Sequence, residues 1–185
     1  MNLSTNEQKA LVATHAVDTL IQEGHLASSM RIGLGTGSTA MPAVKRIATL
    51  IKDGTLKDIR AVATSFQTSL ACQELGVPLF TLNDKAISGA LDFSIDGADE
   101  IGPKNTLIKG GGAALLREKI VSYNATFSAI VADMSKKVAS HGTGFPLPVE
   151  IIPEARLSVT KALEALGAKA TLREGVRKAG PVVTD

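Results

Sequence analysis

The chain has 185 residues, 44% of them hydrophobic and 21% charged, enough for a domain, or a domain with a small appendage, to bury a core without disulfide or metal staples. Twenty Lys and Arg against 18 Asp and Glu leave a formal charge of +2, which excludes the electrostatic footprint of a nucleic-acid or anionic-membrane binder. Six aromatic side chains leave little for base stacking, and the single cysteine, Cys72, excludes a disulfide framework and a cysteine-based zinc site.

Residues 1–9 are polar and carry no apolar signal region. No run of about 18 apolar residues occurs, so no membrane helix is expected and the chain is read as a cytoplasmic protein. The first helix is predicted to begin near Ser4 or Thr5, where Thr5 and Gln8 have capping-box spacing. Its apolar stripe reads Leu11, Val12, His15, Ala16, Thr19 and Leu20, and Gly24 ends it. A strand over 30–34 runs into a glycine-rich turn. Ser38 or Thr39 then caps a helix over 40–52, with Pro42 in its first turn.

The same beat repeats: a strand over 59–63, a turn at Thr64-Ser65, a helix over 67–75 stopped by Gly76, and strands over 78–81 and 91–95. A helix over 113–124 and a strand over 127–132 follow. Alternating strands and helices predict an α/β fold, a mostly parallel Rossmann-like sheet flanked by helices. Pro146 and Pro148 cannot sit inside regular structure and place a boundary there. Residues 1–144 are read as an α/β catalytic domain. Residues 145–185 are read as the start of a second, smaller α+β domain, with a strand over 149–152, a helix over 155–166 and a strand over 169–173.

Chemistry-bearing residues cluster at the carboxyl ends of the predicted strands, where open α/β sheets bind ligands. The first cluster is Gly33-Leu34-Gly35-Thr36-Gly37-Ser38-Thr39. Its glycines admit close approach, and its hydroxyls with the N–H groups of a helix start suit an anion such as phosphate. A dinucleotide fingerprint would need glycine where Ser38 stands, and the Gly-Lys-Ser/Thr ending of a nucleotide P-loop is missing. The bland alternative is a tight strand-to-helix turn with no ligand.

The second cluster is Asp96-Gly97-Ala98-Asp99-Glu100. Carboxylates so close repel one another, so a purely structural turn is a poor account of them. They can bind a divalent metal, accept from sugar hydroxyls or shuttle protons, and spacing does not choose among these. Glu100 is read as facing solvent. The third cluster is Lys109-Gly110-Gly111-Gly112, which leads into a helix carrying Arg117, Glu118 and Lys119. Lys109 offers a cation to an oxyanion. Glu118 taken alone would be a solvated carboxylate paired with a neighbour. His15, His25 and His141 lack metal-ligand spacing, His15 is read as a packed helix residue and Cys72 as a small buried hydrophobe.

These three clusters, with Phe145-Pro146-Leu147-Pro148-Val149-Glu150, resemble in order the signature blocks of the ribose-5-phosphate isomerase type A family. The resemblance implies interconversion of D-ribose 5-phosphate and D-ribulose 5-phosphate through a cis-enediolate, with no metal or organic cofactor. It implies Glu118 as the catalytic base, Lys109 stabilising the enediolate, and Asp96 assisting ring opening or proton traffic. Thr36, Gly37, Ser38 and Thr39 would line the substrate loop. Asp96, Gly97, Ala98 and Asp99 would meet the sugar, and Gly110, Gly111 and Gly112 would frame it. Lys136 matches a substrate-contacting lysine, and Lys9 a lysine on the phosphate side. The implied partner is a small sugar phosphate, with no nucleic acid or membrane, and the implied assembly a homodimer or homotetramer.

Family members continue past the match over 182–185 with the rest of the small domain and a closing strand. The chain is therefore read as lacking the family's C-terminal segment. Two rival readings remain: a non-catalytic sugar-phosphate sensor, and a metal-dependent phosphatase using Asp96 and Asp99.

Overall fold

Ser4 caps the first helix, α1 (Thr5–Gln22), through a capping box with Glu7: Glu7 Oε2 accepts from Ser4 N at 2.8 Å and from Ser4 Oγ at 2.6 Å. The box sits one residue earlier than the Thr5/Gln8 spacing suggests. The computed structural model describes residues 4–176 and 179–185. Of the predicted stripe Leu20 is buried and Val12 and Ala16 pack half-buried against the core, while the other buried residues of the helix are Ala13 and Val17. Leu11 is 60% exposed and His15 is exposed too, so His15 is not a packed residue. The buried set has i, i+4, i+7 spacing and lies in the same core as Ala43, Val44 and Ile47 of α2 (Ala40–Lys52).

Four parallel strands make the sheet: β1 (Arg31–Leu34), β2 (Arg60–Ala63), β3 (Leu91–Asp96) and β6 (Ala125–Ile130), in the spatial order β2-β1-β3-β6. The chain steps outward from β1 to β2 through α2, then crosses back so that β3 lies on the other side of β1. This reversal makes a switch point between the carboxyl ends of β1 and β3. There Leu34 pairs with Ile95. One face of the sheet buries Ile32, Leu34, Ala61, Phe93 and Ile95 with α1, α2 and Cys72 of α3 (Phe66–Leu75). Burial raises the Cys72 thiol to about 11, consistent with an inert packed side chain. The other face buries Val62 and Leu91 with Val121 of α4 (Leu115–Tyr123). A Cβ on Gly33 would collide with Val121 Cγ1, so only glycine lets α4 lie this close to β1.

Several expected elements differ. Residues 78–81 form no strand but a single parallel bridge, Ala61 to Leu79; Pro78 has no N–H to extend a ladder. The helix expected from residue 113 starts at Leu115, because Ala113 is left-handed at φ 62° and Ala114 is the N-cap. β6 begins two residues before the predicted 127. A two-stranded antiparallel hairpin, β4 (Glu100–Ile101) with β5 (Leu107–Ile108), was not predicted; two residues are too few to show a period. Residues 149–152 and 169–173 form no strands. After residue 145 the described regular structure is a short 3-10 turn (Pro153–Ala155), α5 (Arg156–Ala165) and a bridge from Glu174 to Pro181. None of the described α5 residues is buried, and Val149, Ile152, Leu157 and Leu172 are left exposed, so this segment's apolar side chains are not drawn into a core that would hold strands.

Candidate active site

The switch point gathers the three sequence clusters. A cavity of about 240 Å³ is lined by Thr36, Gly37, Ser38 and Thr39 from the loop after β1, by Gly97, Ala98 and Asp99 after β3, and by Lys109, Gly110, Gly111 and Gly112 after β5. Glu118 of α4, Lys9 of α1 and Lys136 complete the wall. Asp96, also singled out by the sequence, stands behind this lining and ties it together. Its Oδ1 accepts from Thr36 N (3.1 Å) and Gly97 N (2.7 Å), and its Oδ2 accepts from Lys109 Nζ (2.9 Å). A Cβ on Gly35 would collide with the Asp96 carboxylate, so the loop needs glycine there.

Lys109 is the hub. Its ammonium also donates to Gly97 O at 2.7 Å and lies 3.0 Å from Glu118 Oε2. The side chains of Lys109, Asp96 and Glu118 are 17%, 9% and 5% exposed. Burial disfavours the Lys109 charge, but the carboxylates of Asp96 and Glu118 overcome it and hold its pKa above the ordinary lysine value. Glu118 goes the other way. Burial first, and then the charge of Asp96, raise its pKa above the carboxylate range against the pull of Lys109. A buried carboxylate with raised pKa, in the first turn of a helix and beside a fixed ammonium, can accept and return a proton.

Asp99 holds the glycine turn: its Oδ2 accepts from Gly111 N at 2.7 Å. Gly110 has φ 100°, a left-handed value suited to glycine. At the far side of the cavity Lys9 Nζ donates to Ser38 Oγ at 2.8 Å. Ser38 therefore does not cap α2; its N-cap is Thr39, which makes no side-chain capping bond. The N–H groups of this helix start share the cavity wall with Lys9 and Lys136, a grouping whose charge and donors suit an anion.

Glu100 does not face solvent. It is 2% exposed, and its carboxylate accepts from Gly142 N (2.7 Å), Gly144 N (2.6 Å) and Phe145 N (2.8 Å). Burial alone would raise its pKa, but these three donors and His141 hold it below the usual range. It pins the 142–145 loop against the site. Sequence reasoning also missed Glu150 as a cap: its Oε2 accepts from Leu116 N at 2.8 Å, serving α4 from 34 residues away where Ala114 offers no side-chain cap. Thr64 was read only as part of a turn. It is 2% exposed and backs the loop after β1, with its Oγ1 2.7 Å from Thr36 Oγ1. No local spacing announces any of the three, because each partner is more than 25 residues away.

Among the described residues, no three His, Cys, Asp or Glu side chains gather in an arrangement able to hold a metal. No described helix is long and apolar enough to cross a membrane.

The family model for ribose 5-phosphate isomerase A (phosphoriboisomerase A) matches residues 60–185. The ribose-5-phosphate isomerase A of Treponema denticola is 61% identical over 183 residues, covering 99% of this chain and 77% of that protein. The enzyme of the same name from Treponema pallidum is 57% identical, over 99% of this chain and 72% of the relative. A solved D-ribose-5-phosphate isomerase in complex with phospho-erythronic acid superposes with a TM-score of 0.88 at 38% identity, covering 99% of this chain and 76% of the other. Ribose 5-phosphate isomerase A of Methanocaldococcus jannaschii matches with the same TM-score at 39% identity, over 98% and 76%.

Proposed function

We propose, for a chain that belongs to the ribose 5-phosphate isomerase A family, that Glu118 is the base and Lys109 the oxyanion partner of its reaction. That reaction is the interconversion of D-ribose 5-phosphate and D-ribulose 5-phosphate. The observation that carries the assignment is Lys109 Nζ standing 2.9 Å from Asp96 Oδ2 and 3.0 Å from Glu118 Oε2 at the wall of one cavity.

In the forward direction the Glu118 carboxylate takes the proton from C2 of the open-chain aldose. The electron pair forms the C1–C2 double bond, and O1 becomes negative beside the Lys109 ammonium. A proton passes from O2 to O1, and Glu118 returns its own proton to C1, leaving the carbonyl at C2. A positioned base contributes about 10²- to 10⁴-fold, and a fixed donor at the developing oxyanion roughly 10²- to 10³-fold. Asp96 orients Lys109 and assists ring opening. Asp99 and the Gly110–Gly112 turn contact the sugar, while Lys9, Ser38, Thr39 and Lys136 hold the phosphate, whose binding fixes the reactive pose. Phospho-erythronic acid, bound by a relative, joins a carboxylate to a phosphorylated carbon chain, a charge pattern like that of an enediolate phosphate.

The same reading divides the chain into residues 1–144, which carry the chemistry, and 145–185, which brace it. In support, Glu150 caps α4, Arg173 Nη2 donates to Gly111 O at 2.8 Å and Asp185 N donates to Ala113 O at 3.1 Å. A homodimer or homotetramer and a cytoplasmic location belong to the proposal, and sedimentation tests the assembly.

The deciding experiment follows ketose formation from ribose 5-phosphate with EDTA present. Undiminished turnover is expected. Loss of activity on chelation would point to the metal-dependent phosphatase, and binding without turnover to the sensor.

A further inference from the structure

Two hydroxyls of the loop after β1 have their protons committed in opposite directions. Thr64 Oγ1 lies 3.1 Å from Leu34 O. A carbonyl oxygen only accepts, so the one proton of Thr64 is spent there. Thr64 Oγ1 also lies 2.7 Å from Thr36 Oγ1, and with its own proton used it can only accept in that contact. Thr36 must therefore donate inward, to Thr64, and has no proton left for the cavity. What Thr36 shows the cavity is oxygen lone pairs. Ser38 is the reverse: an ammonium only donates, so in the 2.8 Å contact with Lys9 Nζ the Ser38 oxygen accepts. The Ser38 proton stays free for an acceptor.

We infer that Thr64, buried behind the substrate loop, sets Thr36 as an obligate hydrogen-bond acceptor that reads a sugar hydroxyl and not the phosphate. This rests on the isomerase reading above and refines it. Thr36 sits on the Asp96 side of the loop, since its N–H donates to Asp96 Oδ1 at 3.1 Å; Ser38 sits on the lysine side. Lone pairs pointing at a phosphate oxygen would repel it, whereas a substrate O–H has a proton to give. The polarity is held from behind by a second relay. Thr68, fully buried, donates from Oγ1 to Gly35 O at 2.8 Å, and its N–H donates to Ser65 Oγ at 3.1 Å. The loop backbone is thus fixed immediately before Thr36, at Gly35. Thr64 is not part of the cavity lining and acts as a positioning residue through Thr36.

The test is Thr64→Val, which keeps the shape and removes the acceptor, so the Thr36 proton can swing into the cavity. The expected result is a KM for ribose 5-phosphate raised about 3- to 10-fold, the worth of one neutral hydrogen bond, with kcat within about twofold. Inhibition by inorganic phosphate, which probes only the Ser38 end, stays unchanged. Thr64→Ser restores the KM, because it returns the hydroxyl. An unchanged KM in Thr64→Val, phosphate inhibition weakened by the same factor as the KM, or no rescue by serine would each overturn the inference. If Thr64→Val fails to fold, Thr64→Cys gives the same comparison with a weak acceptor in place. An inactive wild-type chain would defeat the isomerase reading itself; an active wild type with an indifferent Thr64 would defeat only this one.

Discussion

Replacing Lys109 with Met would remove one ammonium from between two carboxylates while keeping much of the stem that fills its place. Asp96 and Glu118 are 9% and 5% exposed at the side chain, so neither recovers full hydration. Removing one partner of a buried ion pair costs about 3–5 kcal/mol. Glu118 can relieve part of this by taking up a proton, which places the expected loss near the lower figure, about 3 kcal/mol. Loss of the oxyanion donor lowers kcat by roughly 10²- to 10³-fold.

The pH dependence is the sharper test. Lys109 is the group that pulls the Glu118 pKa down, against burial and the charge of Asp96. Without it the Glu118 pKa climbs further, and the acid limb of kcat/KM moves to higher pH. Asp96→Asn removes a group that pushes the Glu118 pKa up, so in that variant the limb moves to lower pH. Stability follows the same sign. A carboxylate whose folded pKa is raised supports folding most below its unfolded value and loses that contribution as pH rises through the folded one. The Tm deficit of Lys109→Met relative to wild type should therefore shrink as the solution is made more acid. Steady-state kinetics across pH, with thermal melts of the same samples, measure all three. An acid limb that stays in place in Lys109→Met, or moves the same way in both variants, would refute the coupling between these groups.

Gly33→Ala would push a methyl into Val121 of α4. We expect about 1–3 kcal/mol of destabilisation in thermal melts and a lower kcat, because Glu118 lies one turn before Val121 on the helix that must shift. Glu100→Gln replaces one acceptor of backbone N–H groups with a donor; Tm should fall and the Gly142, Gly144 and Phe145 amides should lose hydrogen-exchange protection. In the wild type those amides should lose protection as pH falls below the ordinary carboxylate value of 4.5 and through the lower folded pKa of Glu100. Ser4→Ala removes the cap of α1 and should cost about 1 kcal/mol, read by denaturant unfolding, with kcat untouched.

The parallel sheet was legible because its strands are apolar-rich segments alternating with helical ones, and β1, β2 and β3 run into glycine or polar residues at their carboxyl ends. The cavity was legible for the same reason: Thr36, Asp96 and Lys109 each follow a strand or its loop, and the fold brings strand ends together. What stayed hidden depends on contacts distant in the chain. Glu100 looked like the third member of an acidic run, yet its partners are more than 40 residues on. Thr64 looked like a turn residue until β1 placed Leu34 O beside it. The stripe on α1 was only partly right: Leu20, Val12 and Ala16 meet the core, whereas Leu11 and His15 share its spacing but stay exposed. Strands over 149–152 and 169–173 failed because composition marks a candidate strand, while a strand forms only where a partner backbone accepts it.

The account turns on one carboxylate moving hydrogen between adjacent carbons. Its most direct test is isomerisation in D₂O by the wild type and Glu118→Gln, with the fold of each checked by circular dichroism. The account predicts that the wild type delivers deuterium to C1 of the ketose at a rate comparable with turnover or below it, and that the variant loses both turnover and exchange by about 10²- to 10⁴-fold. A folded Glu118→Gln protein that still exchanges hydrogen at the wild-type rate would contradict it.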